Sequence, residues 1–425
     1  MMIDKREILD VSLPLGTARR AMRGALSASL LLLLGACSTA SGSGATSSSS
    51  PSPAHGSTVA VGVNPQDSAL NPLTHTLYIE SDPENGNLGT VTVLNASTCD
   101  ALRTTGCVSK TPYAQVGSGP VGIAVDQATD TIYVVNSNSN TVSVINGATC
   151  NAQHASGCSH IPPTATAGSN PVDVQVDQAT NTVYVANWGN GAGTTVSVIN
   201  GRICNGQVTS GCGRVPAHVT IGIGPAGVFV DQATDTVYAA TVAPSGAEAV
   251  SVIDGATCNA TMTSGCGKKP PSVTLGQGSA NYNVAFAIDQ ANGTLYVANW
   301  AGNTLSMIDT ASCNATVTSG CAQTPHVVRV GRGPDGIAVN PATQTVYVAN
   351  VTDDTVSVLD AATCNATVSS GCSMPHPQLL PTGKSPRWVT VDQTTDTVYV
   401  PNGDDGTASV LNGATCNATV TSGCN

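Results

Sequence analysis

The chain has 425 residues, of which only 10% are charged and 3% are aromatic, and it contains 44 glycines and 15 cysteines. Because valine, isoleucine and leucine recur in regular alternation, this composition excludes intrinsic disorder and is typical of many short strands joined by tight turns. The formal net charge of −11 opposes non-specific binding to nucleic acid or to anionic lipid headgroups.

Residues 1–36 have the three parts of a secretory signal. Basic residues ending at Arg23 precede an apolar run that closes with residues 31–34, and the small residues Gly35 and Ala36 precede Cys37. This order is typical of a signal peptide, and the apolar run is too short for a normal membrane span. The four residues that end at Cys37 resemble the bacterial lipoprotein box. The resemblance implies that Cys37 is lipidated and begins the mature chain; an ordinary signal peptide with a nearby cysteine is the alternative.

Residues 37–57 are rich in serine, glycine and proline and predict a flexible tether behind the lipidated cysteine. Without residues 1–36 the chain carries 10 basic and 23 acidic residues, a net charge of −13. We therefore expect an extracytoplasmic monomer that is anchored to the cell membrane through Cys37 and has no nucleic-acid partner.

The other fourteen cysteines form seven pairs with the spacing Cys-x7-Cys, and successive pairs are 51 to 55 residues apart. The pairs are Cys99 with Cys107, Cys150 with Cys158, Cys204 with Cys212, Cys258 with Cys266, Cys313 with Cys321, Cys364 with Cys372 and Cys416 with Cys424. A structural zinc site needs four ligands, and two-ligand loops spread over seven repeats cannot converge on one ion. The pairs therefore predict seven disulfides in an oxidising compartment.

Each repeat predicts four strands. In the second copy, apolar and β-branched residues fill residues 120–126, 131–136, 141–146 and 164–167, and turn-forming residues separate them. Seven units of about 50 residues with four strands each are typical of a β-propeller. Because a four-stranded sheet cannot bury both of its faces alone, we expect the blades to bury them by stacking around the ring. We also expect each blade to have its own core, so that reduction of the disulfides lowers the melting temperature without abolishing the fold.

The two ends of the repeat predict how the ring closes. The last unit has strands at 386–392, 397–402 and 407–412 but lacks a fourth, whereas residues 58–62 form a surplus strand before the first unit. This surplus strand can complete the last blade and leave no exposed edge, an arrangement for which an open β-solenoid has no use. The sequence therefore predicts an all-β, seven-bladed propeller of antiparallel blades over residues 58–425.

Three copies carry the same four-residue sequence, Tyr-Val-Ala-Asn, at residues 184–187, 296–299 and 347–350. This sequence resembles the Tyr-Val-Thr-Asn β-propeller repeat family of secreted and surface proteins of bacteria and archaea. The resemblance covers residues 58–425 and implies the propeller fold. It implies less about function, because the relatives include surface-layer antigens, YncE-like DNA-binding propellers and, more distantly, lactonases.

Alternate loops of an up-and-down sheet lie at opposite ends of its strands. One end, here called the cysteine face, carries the turns between first and second strands, such as 127–130, and the Cys-x7-Cys loops, such as 150–158. The opposite end, here called the variable face, carries the loops between second and third strands, such as 137–140, and the connections between repeats, such as 168–170. Copies differ most on the variable face, and aromatic and polar residues that break the small-residue pattern there are candidate ligand contacts. These are Trp188, Trp300, Trp388, Asp67, Asp173, Tyr282, Asn283, Arg332, Asp335 and Arg387.

The sequence carries no recognisable catalytic motif. The seven histidines lack metal-ligand spacing, and neither a nucleophile elbow nor a phosphate-binding glycine loop is present. We therefore name no catalytic residue, metal or cofactor, and favour a binding module for an unknown protein or small molecule over an enzyme. The alternative is a lactonase-like hydrolase with a divalent cation, which requires residues such as Asp67, Asp173 and Asn283 to converge at the axis. Binding to DNA is the least favoured function, and tryptophans that merely fill space between unequal blades are the structural alternative to a ligand site.

Overall fold

A computed structural model describes residues 56–108, 111–243, 247–277, 284–372 and 377–424. These residues form 28 strands in seven four-stranded antiparallel sheets, and three short 3-10 helices at Thr105–Val108, Ser156–Ser159 and Gly189–Gly191. The predicted seven-bladed propeller is confirmed. The predicted signal peptide, Cys37 and nearly all of the tether lie outside the described residues. No helix of the described ranges is both long and apolar enough to cross a membrane.

The strands of the first half are β1 (Ser57–Ala60), β2 (Pro65–Asn71), β3 (Thr76–Ser81), β4 (Leu88–Asn95), β5 (Tyr113–Ser118), β6 (Pro120–Asp126), β7 (Thr131–Asn136), β8 (Thr141–Asn146), β9 (Thr164–Thr166), β10 (Pro171–Asp177), β11 (Thr182–Asn187), β12 (Thr195–Asn200), β13 (Ala217–Thr220) and β14 (Pro225–Asp231). Those of the second half are β15 (Thr236–Val242), β16 (Ala247–Asp254), β17 (Ser272–Gln277), β18 (Phe286–Asp289), β19 (Thr294–Asn299), β20 (Thr304–Asp309), β21 (His326–Arg329), β22 (Pro334–Asn340), β23 (Thr345–Asn350), β24 (Thr355–Asp360), β25 (Gln378–Pro381), β26 (Thr390–Asp392), β27 (Thr397–Asn402) and β28 (Thr407–Asn412).

Six blades are continuous in sequence and the seventh closes the ring. Blades 1 to 6 are β2–β5, β6–β9, β10–β13, β14–β17, β18–β21 and β22–β25, and blade 7 consists of β26, β27, β28 and β1. In blade 7, Ser57 pairs with Val410 and Ala60 pairs with Thr407. The surplus N-terminal strand therefore supplies the strand that the last repeat lacks, as the sequence predicts.

Turn chemistry explains where the strands end. The turns after β6 and β7 contain Asp130 with φ 48° and Asn140 with φ 57°, in the left-handed region that these two residue types adopt most easily. Asp126 caps the first of these turns, because its Oδ1 accepts a hydrogen bond from the Ala128 amide at 2.9 Å. The recurrent aspartates that end the first strands are thus turn-forming residues.

The first strands of neighbouring blades approach one another closely around the axis. A Cβ atom on Gly227 in β14 would lie 2.1 Å from the carbonyl oxygen of Val284, and one on Gly336 in β22 would lie 2.4 Å from the Cα atom of Trp388. Contacts at these distances are not possible, so both positions require glycine. The first strands of all seven blades form a closed inner ring, with each one in contact with the next.

The hydrophobic cores lie between blades, and the expectation that each blade has its own core was wrong. One cluster joins Tyr184 and Val196 of blade 3 to Val228, Val237 and Cys258 of blade 4. Each of the seven clusters in the described residues spans two adjacent blades in this way. A four-stranded blade is too thin to bury its own apolar side chains, and they become buried only when the next blade covers them.

All seven predicted disulfides are confirmed. Each joins two cysteines that are eight positions apart and closes the loop that follows a third strand. They join Cys99 to Cys107, Cys150 to Cys158, Cys204 to Cys212, Cys258 to Cys266, Cys313 to Cys321, Cys364 to Cys372, and Cys416 to Cys424. Thirteen of these cysteines are buried and Cys372 is half-buried, so the bridges lie within the clusters between blades.

Each disulfide loop also contacts the preceding blade. The Tyr184 hydroxyl of blade 3 donates to the Cys258 carbonyl of blade 4 at 2.6 Å, and the Ala260 amide donates to the Thr182 hydroxyl at 2.8 Å. Equivalent tyrosine bonds occur at all seven blade junctions, including the closing one from Tyr399 to Cys99 at 2.7 Å. The disulfide loops thus fasten neighbouring blades together and are more than local staples.

We expect Tyr184→Phe to lower the free energy of unfolding by about 1–3 kcal/mol, because it leaves the buried Cys258 carbonyl without this donor. Urea unfolding of the purified protein measures the change. Tyr113→Phe is the matched control, since Tyr113 is exposed, and it should change stability by less than about 0.5 kcal/mol. Equal effects of the two substitutions would contradict the conclusion that the Tyr184 hydroxyl fastens blade 3 to blade 4.

Candidate functional site

Three of the candidate aspartates lie in first strands at the axis. Asp67 is in β2, Asp173 in β10 and Asp335 in β22, and all three are buried. Asp335 was expected in a connection between repeats, but the structure has it within its strand. The negative charges of Asp173 and Asp335, added to a larger effect of burial, raise the pKa of Asp67 well above its usual value. The ring therefore brings carboxyl groups from blades 1, 3 and 6 into one electrostatic neighbourhood.

Asp67 and Asp173 each join two blades. The Asp67 Oδ2 accepts a hydrogen bond from the Ile123 amide of blade 2 at 3.1 Å, and the Asp173 Oδ2 accepts one from the Val228 amide of blade 4 at 2.7 Å. Each also accepts a bond from the next amide of its own strand. Burial raises the pKa of Asp173 to about 7 despite these backbone bonds, which lower it. Both side chains are thus engaged in holding neighbouring first strands together.

Two buried glutamates were missed by the sequence analysis. Glu80 in β3 accepts the Asp67 amide at 2.9 Å, and burial, followed by the charge of Asp67, raises its pKa well above the usual value. Glu248 in β16 is also buried, and burial raises its pKa to about 7. Glu80 stands where the corresponding strand of blade 3 has Ala186. A carboxyl group at an otherwise small, apolar position is the signal that could have identified it.

We expect the thermal stability of the protein to fall as the pH rises from about 4 to about 7. The unfolded state releases protons from Asp173 and Glu248 near pH 4, whereas the folded state retains them up to about pH 7. Their stabilising contribution is therefore complete below the unfolded pKa and is lost as the pH passes through the folded pKa, by roughly 4 kcal/mol at most for each carboxyl. Calorimetry of the wild type and of Asp173→Asn between pH 4 and pH 7 tests this prediction. If the melting temperature of the variant depends on pH as steeply as that of the wild type, the role of Asp173 is contradicted.

Arg387 and Asp335 form an ion pair between blades 6 and 7. The Arg387 Nη1 lies 3.5 Å from the Asp335 Oδ2, and the arginine side chain is 17% exposed. Among the described residues, the Arg387 Nε has no hydrogen-bond acceptor. The guanidinium is thus positioned by a buried carboxylate, and the Nε donor that has no acceptor is itself buried.

Irregular backbone positions Arg387 and Trp388. A strand was predicted over residues 386–392, but β26 covers only Thr390–Asp392, and Pro386 makes an isolated bridge to Asn402. The irregular backbone at Trp388 lies close to Gly336, where an added Cβ atom would be 2.4 Å from the Trp388 Cα atom. Trp388 is half-buried and packs against the core between blades 5 and 6.

The remaining candidates do not join this group. Trp188 packs against the cores on both sides of blade 4, and the Trp300 ring lies against Gly333. Both positions agree with the alternative that tryptophan fills space between blades. Arg332 makes an exposed ion pair with Asp353, with 2.6 Å between Nε and Oδ1, which stabilises by less than about 1 kcal/mol. Tyr282 and Asn283 lie outside the described residues.

The residues at the axis do not fit the divalent cation that the hydrolase alternative requires. Within the described ranges, no three His, Cys, Asp or Glu side chains are grouped so that they could hold a metal ion. Asp67 and Asp173 influence each other electrostatically, but backbone amides already occupy their oxygens. The arrangement is suited instead to hydrogen bonding and charge pairing by Arg387.

Comparisons with known proteins agree with the architecture. The family model described as "Lactonase, 7-bladed beta-propeller" matches residues 88–414, which is well over half of the chain. A solved structure of hydrazine synthase from Kuenenia stuttgartiensis superposes with a TM-score of 0.60 at 19% identity, over 83% of this chain and 96% of that chain. Similarity at this identity shows the fold alone. No curated protein matches the sequence. The chain therefore belongs to the lactonase family of seven-bladed β-propellers.

Proposed function

We propose that this protein is an extracytoplasmic binding module that takes a small carboxylate-bearing molecule at the axial mouth of its variable face. The observation that carries the proposal is the Arg387 side chain, which is 17% exposed and is held by the buried Asp335. A guanidinium presents its donors in a planar fork that matches a carboxylate. Trp388, next to it in sequence, is half-buried and packs against the core between blades 5 and 6.

The surrounding carboxyl groups favour binding over catalysis. Asp67 and Asp173 accept two backbone hydrogen bonds each, and Asp335 pairs with Arg387. A general base must reach the proton that it removes, and these groups are buried and engaged between blades.

Calorimetric titration with gluconate and with acetate tests the anion site. We expect wild-type protein to bind at least gluconate, and Arg387→Gln to weaken the affinity by about 10–100-fold, as loss of a charged hydrogen-bond pair does. The double variant Arg387→Gln/Asp335→Asn removes both charges and separates lost recognition from the cost of leaving the buried Asp335 without the arginine. Arg332→Gln is the matched control and should bind as the wild type does. No binding to either anion, or equal affinity in all variants, would overturn the proposal.

The family match favours a second candidate function, the hydrolysis of a lactone. Water would add to the ring carbonyl, the ring C–O bond would break, and the products would be a hydroxycarboxylate and a proton. In this reaction Arg387 would polarise the carbonyl oxygen. Proton release from glucono-δ-lactone, measured above the spontaneous rate with and without added Mg²⁺ or Ca²⁺, distinguishes the two functions. If the wild type hydrolyses the lactone and Arg387→Gln does not, the protein is an enzyme and the binding-module proposal is wrong.

We further infer that the protein is a lipoprotein of the cell envelope. The segment before Cys37 supports lipidation, and the seven disulfides indicate an oxidising, extracytoplasmic environment. The recurrent Tyr-Val-Ala-Asn sequences support kinship with the Tyr-Val-Thr-Asn repeat proteins, although the net charge of −13 argues against DNA as a partner. Labelling with a palmitate analogue in a bacterial host should mark the wild type and spare Cys37→Ser. Equal labelling of both would contradict this inference.

A further inference from the structure

Apolar side chains are exposed in a repeating pattern on the cysteine face. In blades 3 to 7 the residue four places after the first cysteine is apolar, and its side chain is 39–48% exposed. These residues, here called the apolar ring, are Val208, Met262, Val317, Val368 and Val420. Four more exposed apolar residues, Leu73, Leu102, Ile161 and Val215, lie in turns and loops of the same face. Single exposed apolar residues are ordinary, but a recurrent set on one face marks an interaction surface.

Tight turns hold the apolar ring in place. In blade 5, the Asn314 Oδ1 accepts hydrogen bonds from the backbone amides of Thr316 and Val317, and the Val317 nitrogen lies 2.8 Å from it. The Val317 carbonyl in turn accepts the Asn314 amide at 2.8 Å. The disulfide Cys313–Cys321 closes this loop. The same asparagine turn precedes each of the other four ring residues. A side chain on such a fixed loop loses little conformational entropy when it binds.

Exposed charges on the cysteine face are of one sign. Among the residues that the structure describes, the exposed charged residues of this face are Arg103, Arg202, Arg214, Lys268 and Lys269. In the described part of this face no carboxylate is exposed, because its aspartates are buried or half-buried and several cap turns, as Asp126 and Asp254 do. The exposed carboxylates, at Glu84, Asp354, Asp404 and Asp405, lie on the variable face. The overall negative charge is therefore distributed unequally, and the loops of blades 3 and 4 carry both apolar-ring residues and basic residues.

The chain enters the propeller at the cysteine face. Ser57 begins β1 opposite Val410, near the end of β28 that leads into the last cysteine loop, and its hydroxyl lies 3.8 Å from the Cys107 sulfur. The 20 residues from Cys37 to Gly56 precede this point and can span at most about 70 Å. A tether that follows a lipid on Cys37 would thus join the propeller on the side that presents the apolar ring.

We propose that the cysteine face docks on an anionic lipid surface, with the apolar ring in the headgroup region and the lysines and arginines against lipid phosphates. Apolar area and basic charge together are what bind proteins to such interfaces. The variable face, with Arg387, then points away from the membrane towards solvent. This inference rests on the proposed location in the envelope but is independent of the ligand that Arg387 binds.

Vesicle co-sedimentation of a chain that begins at residue 38 tests the docking surface without a lipid anchor, because the ring closes within Ser57–Asn412. We expect binding to vesicles of phosphatidylcholine with phosphatidylglycerol, less binding to phosphatidylcholine alone, and weakening by salt. Met262→Ser/Val317→Ser/Val368→Ser should reduce the bound fraction about fivefold or more. Val63→Ser/Ile223→Ser, two exposed positions of the variable face, is the control and should leave it unchanged.

Two results would overturn the proposal. One is no sedimentation with anionic vesicles, or equal sedimentation of the ring variant and the control. The other is a dimer in solution that the ring variant abolishes, which would assign the face to a second copy of the chain. Titration of the same samples with gluconate separates this inference from the proposed function. Loss of vesicle binding with gluconate binding intact would contradict the docking surface alone.

Discussion

Reduction of the seven disulfides should unfold the whole ring and not merely loosen single blades. Cys258 and Cys266 are buried in the cluster that joins blades 3 and 4, together with Tyr184. The other six pairs occupy equivalent clusters. A cysteine loop that opens therefore uncovers apolar surface of two blades and releases the hydrogen bond from the preceding tyrosine.

The expected effect is large compared with the stability of a typical domain. Each disulfide joins cysteines eight residues apart and stabilises by roughly 2.5 kcal/mol in the chain-entropy model. Seven such contributions exceed the total of about 5–15 kcal/mol that most domains have. The reduced chain should therefore be unfolded at room temperature, which differs from the lower melting temperature that the sequence alone suggested.

Circular dichroism and limited proteolysis under a phosphine reductant measure this effect. We expect loss of the cooperative transition and cleavage throughout the chain. The double variant Cys204→Ala with Cys212→Ala removes one pair only and should cost about 2–4 kcal/mol while the ring persists. A reduced protein that still melts cooperatively within a few degrees of the oxidised one would contradict the interblade role of the loops.

A second large effect is expected from removal of β1. Val59 is buried in the closing cluster between blades 7 and 1, together with Tyr399, Ala408 and Cys99. A chain that begins at residue 62 loses these contacts and exposes the edge of β28 to other chains. It should aggregate, or melt far below a control chain that begins at residue 56 and keeps the strand.

A synthetic peptide of residues 56–63 provides the decisive variant of this experiment. Added to the truncated chain, it should pair with β28 and restore a cooperative melting transition, whereas a peptide with Val59→Asp should not. Differential scanning calorimetry reports both results. Equal melting temperatures for chains that begin at residues 56 and 62, without peptide, would show that the ring does not depend on this closure.

The sequence predicted the blades and the closure of the ring because both follow from local patterns. Alternating apolar residues, turn residues and the missing strand after residues 407–412 are all visible within one repeat or at the chain ends. Burial by stacking of the blades was predicted, but the side chains that meet were not, because Tyr184 and Cys258 are 74 residues apart and meet only after the blades assemble. Periodicity indicates which side chains are buried, but not which neighbour covers them.

The candidate site was predicted in part. Asp67 and Asp173 were identified because they break a small-residue pattern, but their bonds to the next blade depend on how closely the first strands approach. The pairing of Asp335 with Arg387 joins two repeats and has no sequence signal. Glu80 in β3 was not identified, although it accepts a hydrogen bond from the Asp67 amide.

Nitrogen-15 NMR of the arginine Nε–H groups tests most directly whether Arg387 is the anion-binding residue. A chain that begins at residue 38 contains six arginines, so each signal can be assigned by substitution. On addition of gluconate we expect the Arg387 signal to move with a saturable dependence on concentration, and the signal of Arg332 to stay in place. A ligand site at the axis of the variable face would be contradicted if gluconate moved the Arg332 signal and left the Arg387 signal unchanged. It would also be contradicted if gluconate moved neither signal.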